Sequence, residues 1–131
     1  MRRKTVVSVP GFSKPAGVWS SAVIVEAKRL LFISGLLARN SVGQMVGVGD
    51  IRAQTRQVCE NLKLAVEAAG GTLADLVRVD VYITDMTMFD DIHAVRAEFF
   101  PSEPPASTMV EIKRFTHKDA LIEINAIAAL P

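Results

Sequence analysis

The sequence predicts an α+β domain in which two amphipathic helices pack on one face of a single mixed β-sheet. Three observations predict it. Apolar residues alternate with period two in short runs, most clearly at 76–84 and 120–129, as half-buried strands require. Two longer stretches, 51–69 and 89–100, carry apolar residues at helical spacing. The elements fall in the order β, ββ, α, β, α, ββ, and strand–helix–strand units of this length imply right-handed parallel crossovers. At 131 residues the chain forms one domain, long enough to bury a real core.

Residues 5–9 read as a short first strand closed by Pro10-Gly11, and the Gly-, Pro- and Ser-rich stretch 11–21, with the only Trp, reads as a loop. Residues 22–27 and 30–34 read as a hairpin turned by Ala27-Lys28-Arg29. Gly35 then suggests close backbone approach at a bend or pocket wall. Residues 38–49 read as loop with a brief strand at 44–46. Asp50 is the expected N-cap of the first helix, Ile51, Val58, Leu62, Ala65, Val66 and Ala69 its apolar stripe, and Gly70-Gly71 its stop. A linker at 72–75 leads to a strand at 76–84, with Val77, Val79, Val81 and Ile83 on one face. The second helix has Ile92, Val95, Phe99 and Phe100 as its stripe and ends at Pro101. Pro104 and Pro105 stiffen the entry to a strand at 108–113. The last strand, 120–129, puts Ile122, Ile124, Ala126 and Ala128 on one face.

Two helices can cover only one sheet face. The other is expected to carry Tyr82, Met109, Leu121 and Ile127 with Glu111, Glu123 and Asn125, a half-apolar surface that predicts self-association as a closed ring.

Composition excludes several function classes. Half the residues are apolar, 22% are charged and the net charge is +1, which gives no electrostatic case for nucleic acid. The Arg2-Arg3-Lys4 cluster reads as a solvated end. No apolar run reaches the roughly 18–20 residues of a membrane span, and no apolar segment of a signal peptide follows the basic start. A single cysteine, Cys59, allows no internal disulfide and fits a cytoplasmic location; it reads as a small buried or half-buried residue rather than a nucleophile. Cys59 and the two histidines form no metal signature.

Ser107 sits on the rigid Pro104-Pro105 corner. As a nucleophile it needs a base; as a pocket wall it needs only its hydroxyl. His93 lies off the main stripe of the second helix, either a surface histidine or a general base facing a cleft. His117 reads as an exposed turn residue.

Several stretches taken together resemble the Rid (YjgF/YER057c/UK114) family of reactive-intermediate deaminases. They are Leu30-Leu31-Phe32-Ile33-Ser34-Gly35, residues 50–57 with Glu60-Asn61-Leu62-Lys63, Val81-Tyr82-Ile83-Thr84-Asp85-Met86, Ala97-Glu98-Phe99-Phe100-Pro101, Pro105-Ala106, and residues 121–128. The resemblance spans nearly everything from Gly17 onward. It implies a chorismate-mutase-like fold, a homotrimer with small-molecule clefts between subunits, hydrolysis of an imine or enamine such as 2-aminoacrylate to a keto acid and ammonia, and no metal or organic cofactor.

The family's site residues fall unevenly. Its pocket serine falls at Ser34, its loop aromatic at Trp19 and its pocket asparagine at His93. Its carboxylate-gripping arginine falls at Ser107 and its water-positioning glutamate at Asn125. Gly35, Phe89, Pro105, Ala106, Thr108 and Glu123 complete the expected substrate-binding set, with His93, Ser107 and Asn125 expected at the chemistry. Serine cannot neutralise a carboxylate as arginine does; the loss is worth about 1.5–3 kcal/mol, or roughly 10–100-fold. The expected function is therefore a divergent hydrolase of an imine, enamine or related C–N bond in a metabolite other than 2-aminoacrylate. The alternatives are a non-catalytic ligand-binding trimer and, against the neutral charge, a ribonuclease or translation inhibitor.

Overall fold

The structure is a computed structural model and describes residues 3–131. Six strands and two helices follow the predicted order: β1 (Arg3–Val7), β2 (Ala22–Glu26), β3 (Arg29–Leu36), α1 (Ile51–Ala68), β4 (Leu76–Ile83), α2 (Phe89–Phe99), β5 (Ala106–Glu111) and β6 (Ile122–Leu130). Short 3-10 turns at Leu73–Asp75 and Met86–Met88 lead into β4 and α2. The first of these replaces the expected linker, because Thr72 and Asp75 form a reciprocal capping box.

The main sheet has the order β3-β6-β4-β5. β6 runs antiparallel to both β3 and β4, and β4 runs parallel to β5. Both helices lie on one face. Val58, Leu62 and Val66 of α1 and Ile92 of α2 pack with Val79, Val81 and Ile83 of β4 and Ile122, Ile124 and Ala126 of β6.

The expected hairpin of 22–27 with 30–34 does not form. β2 pairs with β1 in a separate two-stranded ribbon, and β3 pairs with β6. Pairing with the distant C-terminal strand sets Ile33 beside Ala126, in the apolar row that packs with Val58, Leu62 and Val66 of α1. The expected strand at 44–46 reduces to one isolated bridge between Arg39 and Met45. A bulge between Leu76 and Arg78 rotates Val77 out of the core row and seats Leu76 there instead.

Helix termini follow the local chemistry. Asp50 Oδ1 accepts from the Ala53 N–H at 3.1 Å, meeting one orphan donor of α1. At the other end Gly70 adopts φ +89°, and the Gly71 N–H returns to Val66 O at 2.9 Å, a glycine-dependent helix stop. Two ion pairs, Arg52–Asp91 at 2.8 Å and Arg56–Glu98 at 2.7 Å, tie α1 to α2.

The face away from the helices is half apolar, as expected, but its membership differs. The β4–β5 register aligns Thr108 with Asp80 and Val110 with Tyr82, so these face out. Met109 aligns with Val81 and Glu111 with Ile83, on the helix side. Phe32, 71% exposed, and Leu30 join the outward face instead. A polar row crosses it: Arg78 Nη2 donates to Asp80 Oδ1 (2.8 Å) and Thr108 Oγ1 (2.7 Å), and Asn125 Nδ2 donates to Asp80 Oδ2 (3.0 Å).

The basic start is less solvated than expected. Lys4 Nζ donates to the carbonyls of Ala74, Leu76 and Glu103, and Arg3 is exposed. Arg2 lies outside the described residues. None of the described helices is long and apolar enough to cross a membrane.

Candidate functional site

The Pro104-Pro105 corner is stitched to the Trp19 loop. The Ser20 N–H donates to Pro105 O at 3.1 Å, the Ser20 hydroxyl bonds Pro104 O, and Ser20 bridges Ala106. This pins residues 17–21 over the start of β5 and the outer side of α2. A cavity of about 580 Å³ opens there, with Lys14, Trp19, Arg78, Ala106 and Ser107 in its wall.

His93 sits behind Trp19. Its ring stacks on Phe89, with centroids 3.9 Å apart, and meets Trp19 edge-on at 6.1 Å. Nδ1 lies 3.3 Å from Phe89 O. Donation to that carbonyl selects the tautomer with a bare Nε2. Nε2 is buried and has no partner. Burial, and then the positive charge of Arg96, hold His93 below the usual histidine pKa. The ring is therefore a neutral base at pH 7, covered by the backbone of Gly17.

Ser107 points to the helix side of β5, aligned with Val79. Its Oγ accepts from Arg96 Nη2 at 3.1 Å. A guanidinium donates and cannot accept, so this contact does not activate Ser107 as a nucleophile. Arg96 is the site residue that the sequence reading missed. The signal was available: Arg96 is four residues after Ile92 and three after His93, which places a charge on the buried stripe.

Trp19, Phe89, His93, Pro105, Ala106 and Ser107 thus gather at one edge of the sheet. The other expected site residues do not join them within one chain. Thr108 and Asn125 face the opposite side of the sheet, engaged with Arg78 and Asp80. Ser34 and Gly35 lie on β3, the opposite edge strand, three strand spacings from β5, or roughly 14 Å. Ser34 is exposed beside the irregularity between Ile33 and Leu36. Glu123 packs over Gly35, where a Cβ would lie 2.7 Å from its carboxyl carbon. A second cavity of about 730 Å³ opens beside them, with Arg39, Gln57 and Asn61 in its wall. Among the described residues no cluster of three or more His, Cys, Asp or Glu could hold a metal ion.

Cys59 is fully buried, as expected, and burial pushes its thiol up to about 12. His117 is half-buried, its Nδ1 accepting from the Asp119 N–H at 3.1 Å.

The chain matches the sequence pattern of the family described as Endoribonuclease L-PSP over residues 12–130. It is 42% identical over 125 residues to the RutC family protein PH0854 of Pyrococcus horikoshii, covering 95% of this chain and 97% of that one. A RutC family protein of Sulfurisphaera tokodaii is also 42% identical, over 116 residues, covering 88% and 90%. Among solved structures, the Rid-family protein YyfB of Yersinia pestis superposes with a TM-score of 0.89 at 33% identity, covering 97% and 98% of the two chains. Rv2704 of Mycobacterium tuberculosis, from the YjgF/YER057c/UK114 family, superposes at 0.69 with 30% identity, covering 98% and 100%. The two-helix mixed sheet and the matched sequence agree over nearly the whole chain, and the chain belongs to the Rid (YjgF/YER057c/UK114) family.

Proposed function

We propose that the protein hydrolyses the C–N bond of an imine or enamine in a small metabolite, releasing ammonia. The observation that carries this reading is His93: a neutral imidazole whose Nδ1 is held by Phe89 O and whose Nε2 has no partner. Such a nitrogen can take a proton from an attacking water, once the Gly17 segment moves aside. Trp19 offers a flat face on which a conjugated C=N system can stack.

The separation of the two groups of site residues supports assembly between copies. Ser34 lies on the edge strand β3, with Glu123 of the neighbouring β6 packed over Gly35, and Trp19, His93 and Ser107 lie toward the β5 edge. The outward face with Phe32, Leu30 and Val110 provides an apolar surface for packing. In the homotrimer we propose, the β5 edge of one subunit meets the β3 edge of the next, and the cleft between them is complete. The protein acts there without a cofactor, in the cytoplasm.

Ammonia release over a panel of imines and amino-enamines tests the activity. His93→Ala should lower the rate by about 10²–10⁴-fold on an accepted substrate; a variant with full rate removes His93 from the chemistry. Light scattering showing a stable monomer at micromolar concentration would overturn the shared cleft.

A second reading, a ligand-binding trimer without turnover, is favoured by one observation. Ser107 is held by a donor and Asn125 by Asp80, so neither is poised as a base. Thermal stabilisation by a ligand that is never consumed would select it. A ribonuclease reading follows from the name of the matched family pattern, but the net charge of +1 argues against it. Salt-sensitive RNA binding would revive it.

A further inference from the structure

Arg96 is 1% exposed. Among the described residues it has no carboxylate at ion-pair distance, since the arginine ion pairs are Arg52–Asp91, Arg56–Glu98 and Arg78–Asp80. Its Nη2 donates to Val18 O and to Ser107 Oγ, each at 3.1 Å, and its buried Nε has no partner. A buried charge without a counter-charge is expensive to maintain. A guanidinium keeps its proton even so. Among the described residues, two neutral oxygens and no carboxylate therefore meet this buried positive charge.

Ser107 is the point where that charge reaches the cavity. Its Oγ accepts from Arg96, which leaves its own proton to point elsewhere, and Ser107 forms part of the cavity wall. A hydroxyl that accepts from a cation becomes a stronger donor. The Arg96–Ser107 pair thus presents one polarised O–H, backed by a full positive charge, to whatever occupies the cavity. Lys14 and Arg78, the latter paired with Asp80, also line this cavity and add charge of the same sign.

We propose that Arg96 is the specificity-determining positioning residue of this cavity, selecting ligands with a carboxylate whose oxygen is seated on the Ser107 hydroxyl. The loss of a side chain long enough to reach the ligand from position 107 is offset from behind, by an arginine on α2. The inference rests on reading this cavity as the ligand cleft and is independent of any chemistry there. It narrows the substrate class to small anions.

The test uses the intact protein and two probes, 2-oxobutanoate and its primary amide, followed by NMR titration with the Arg96 Nε–H resonance as reporter. The acid should bind about 10–100-fold more tightly than the amide and should move the Arg96 resonance, while the amide leaves it in place. Ser107→Ala should weaken the acid about tenfold and the amide less than twofold. Arg96→Lys should lose the same preference for the acid; if it does not fold, the reporter shift in the unmodified protein decides. Equal affinity for acid and amide, an unmoved Arg96 resonance at saturating acid, or no binding of the acid up to about 10 mM would each overturn the proposal. Acid selectivity without ammonia release would overturn the hydrolase reading alone. Ammonia release without acid selectivity would overturn the role of Arg96 alone.

Discussion

The backbone of Gly17 is pressed against the imidazole of His93: a Cβ at position 17 would lie 2.4 Å from Nε2. The same Cβ would lie 2.4 Å from Cζ3 of Trp19. Any side chain at this position must displace both rings or shift the loop that carries it.

Gly17→Ala should therefore destabilise the protein by about 1–3 kcal/mol through overpacking. Urea denaturation measures it. In a His93→Ala background the same substitution should cost clearly less, because half of the clash is gone. Equal costs in both backgrounds would mean that the loop relaxes without pressing on His93.

The depressed pKa of His93 has a definite sign in stability. The unfolded chain takes up the proton near pH 6.5, while the folded protein resists it to lower pH. The stabilising contribution of neutral His93 is present above about pH 6.5 and is lost as pH falls from there through the folded value. His93→Gln should flatten the fall in urea midpoint between pH 7 and 5. A wild-type midpoint independent of pH across that interval, after allowance for His117, would show that His93 titrates normally.

Gln54 is fully buried and makes three hydrogen bonds across the fold. Nε2 donates to Gly47 O (3.1 Å) and Asp119 O (2.8 Å), and Oε1 accepts from the Leu121 N–H (2.8 Å). It fastens the loop before α1 and the connector before β6 to one helix. Gln54→Ala leaves buried backbone groups unmet and should cost about 2–4 kcal/mol. Hydrogen exchange at the Leu121 amide should accelerate with it; an unchanged exchange rate would show that another group satisfies that amide.

Cys59 should resist a thiol reagent in the native state and react at the unfolding rate. Its thiol is raised to about 12 and is buried, so both thiolate fraction and access are small. Fast labelling at neutral pH without denaturant would contradict the packing of α1 against α2.

The two helices, the caps of α1 and most strands were legible in the sequence because their signals are local. Asp50 and Gly70-Gly71 act within one turn of α1, and the alternation of Ile122, Ile124 and Ala126 needs only the pleat of a strand. The partner of β3 was not legible. A strand's pattern says which face is apolar but not which strand covers its edge, and proximity in sequence suggested β2 where Ile33 instead meets Ala126. The side of Met109 and Glu111 was lost for a related reason, since a one-residue choice of register reverses the faces of a strand.

The site divides in the same way. The sequence by itself determined the family, the residue types at Trp19, Ser34, His93 and Ser107, and the absence of an arginine at position 107. Only the tertiary structure decided that Arg96 lies behind Ser107, that His93 has a bare Nε2 under Gly17, and that Thr108 and Asn125 belong to a polar row on the other face. Those facts depend on contacts between residues far apart in the chain, or on the depth to which a helix presses a charged side chain. Local propensity carries neither quantity, and packing sets both.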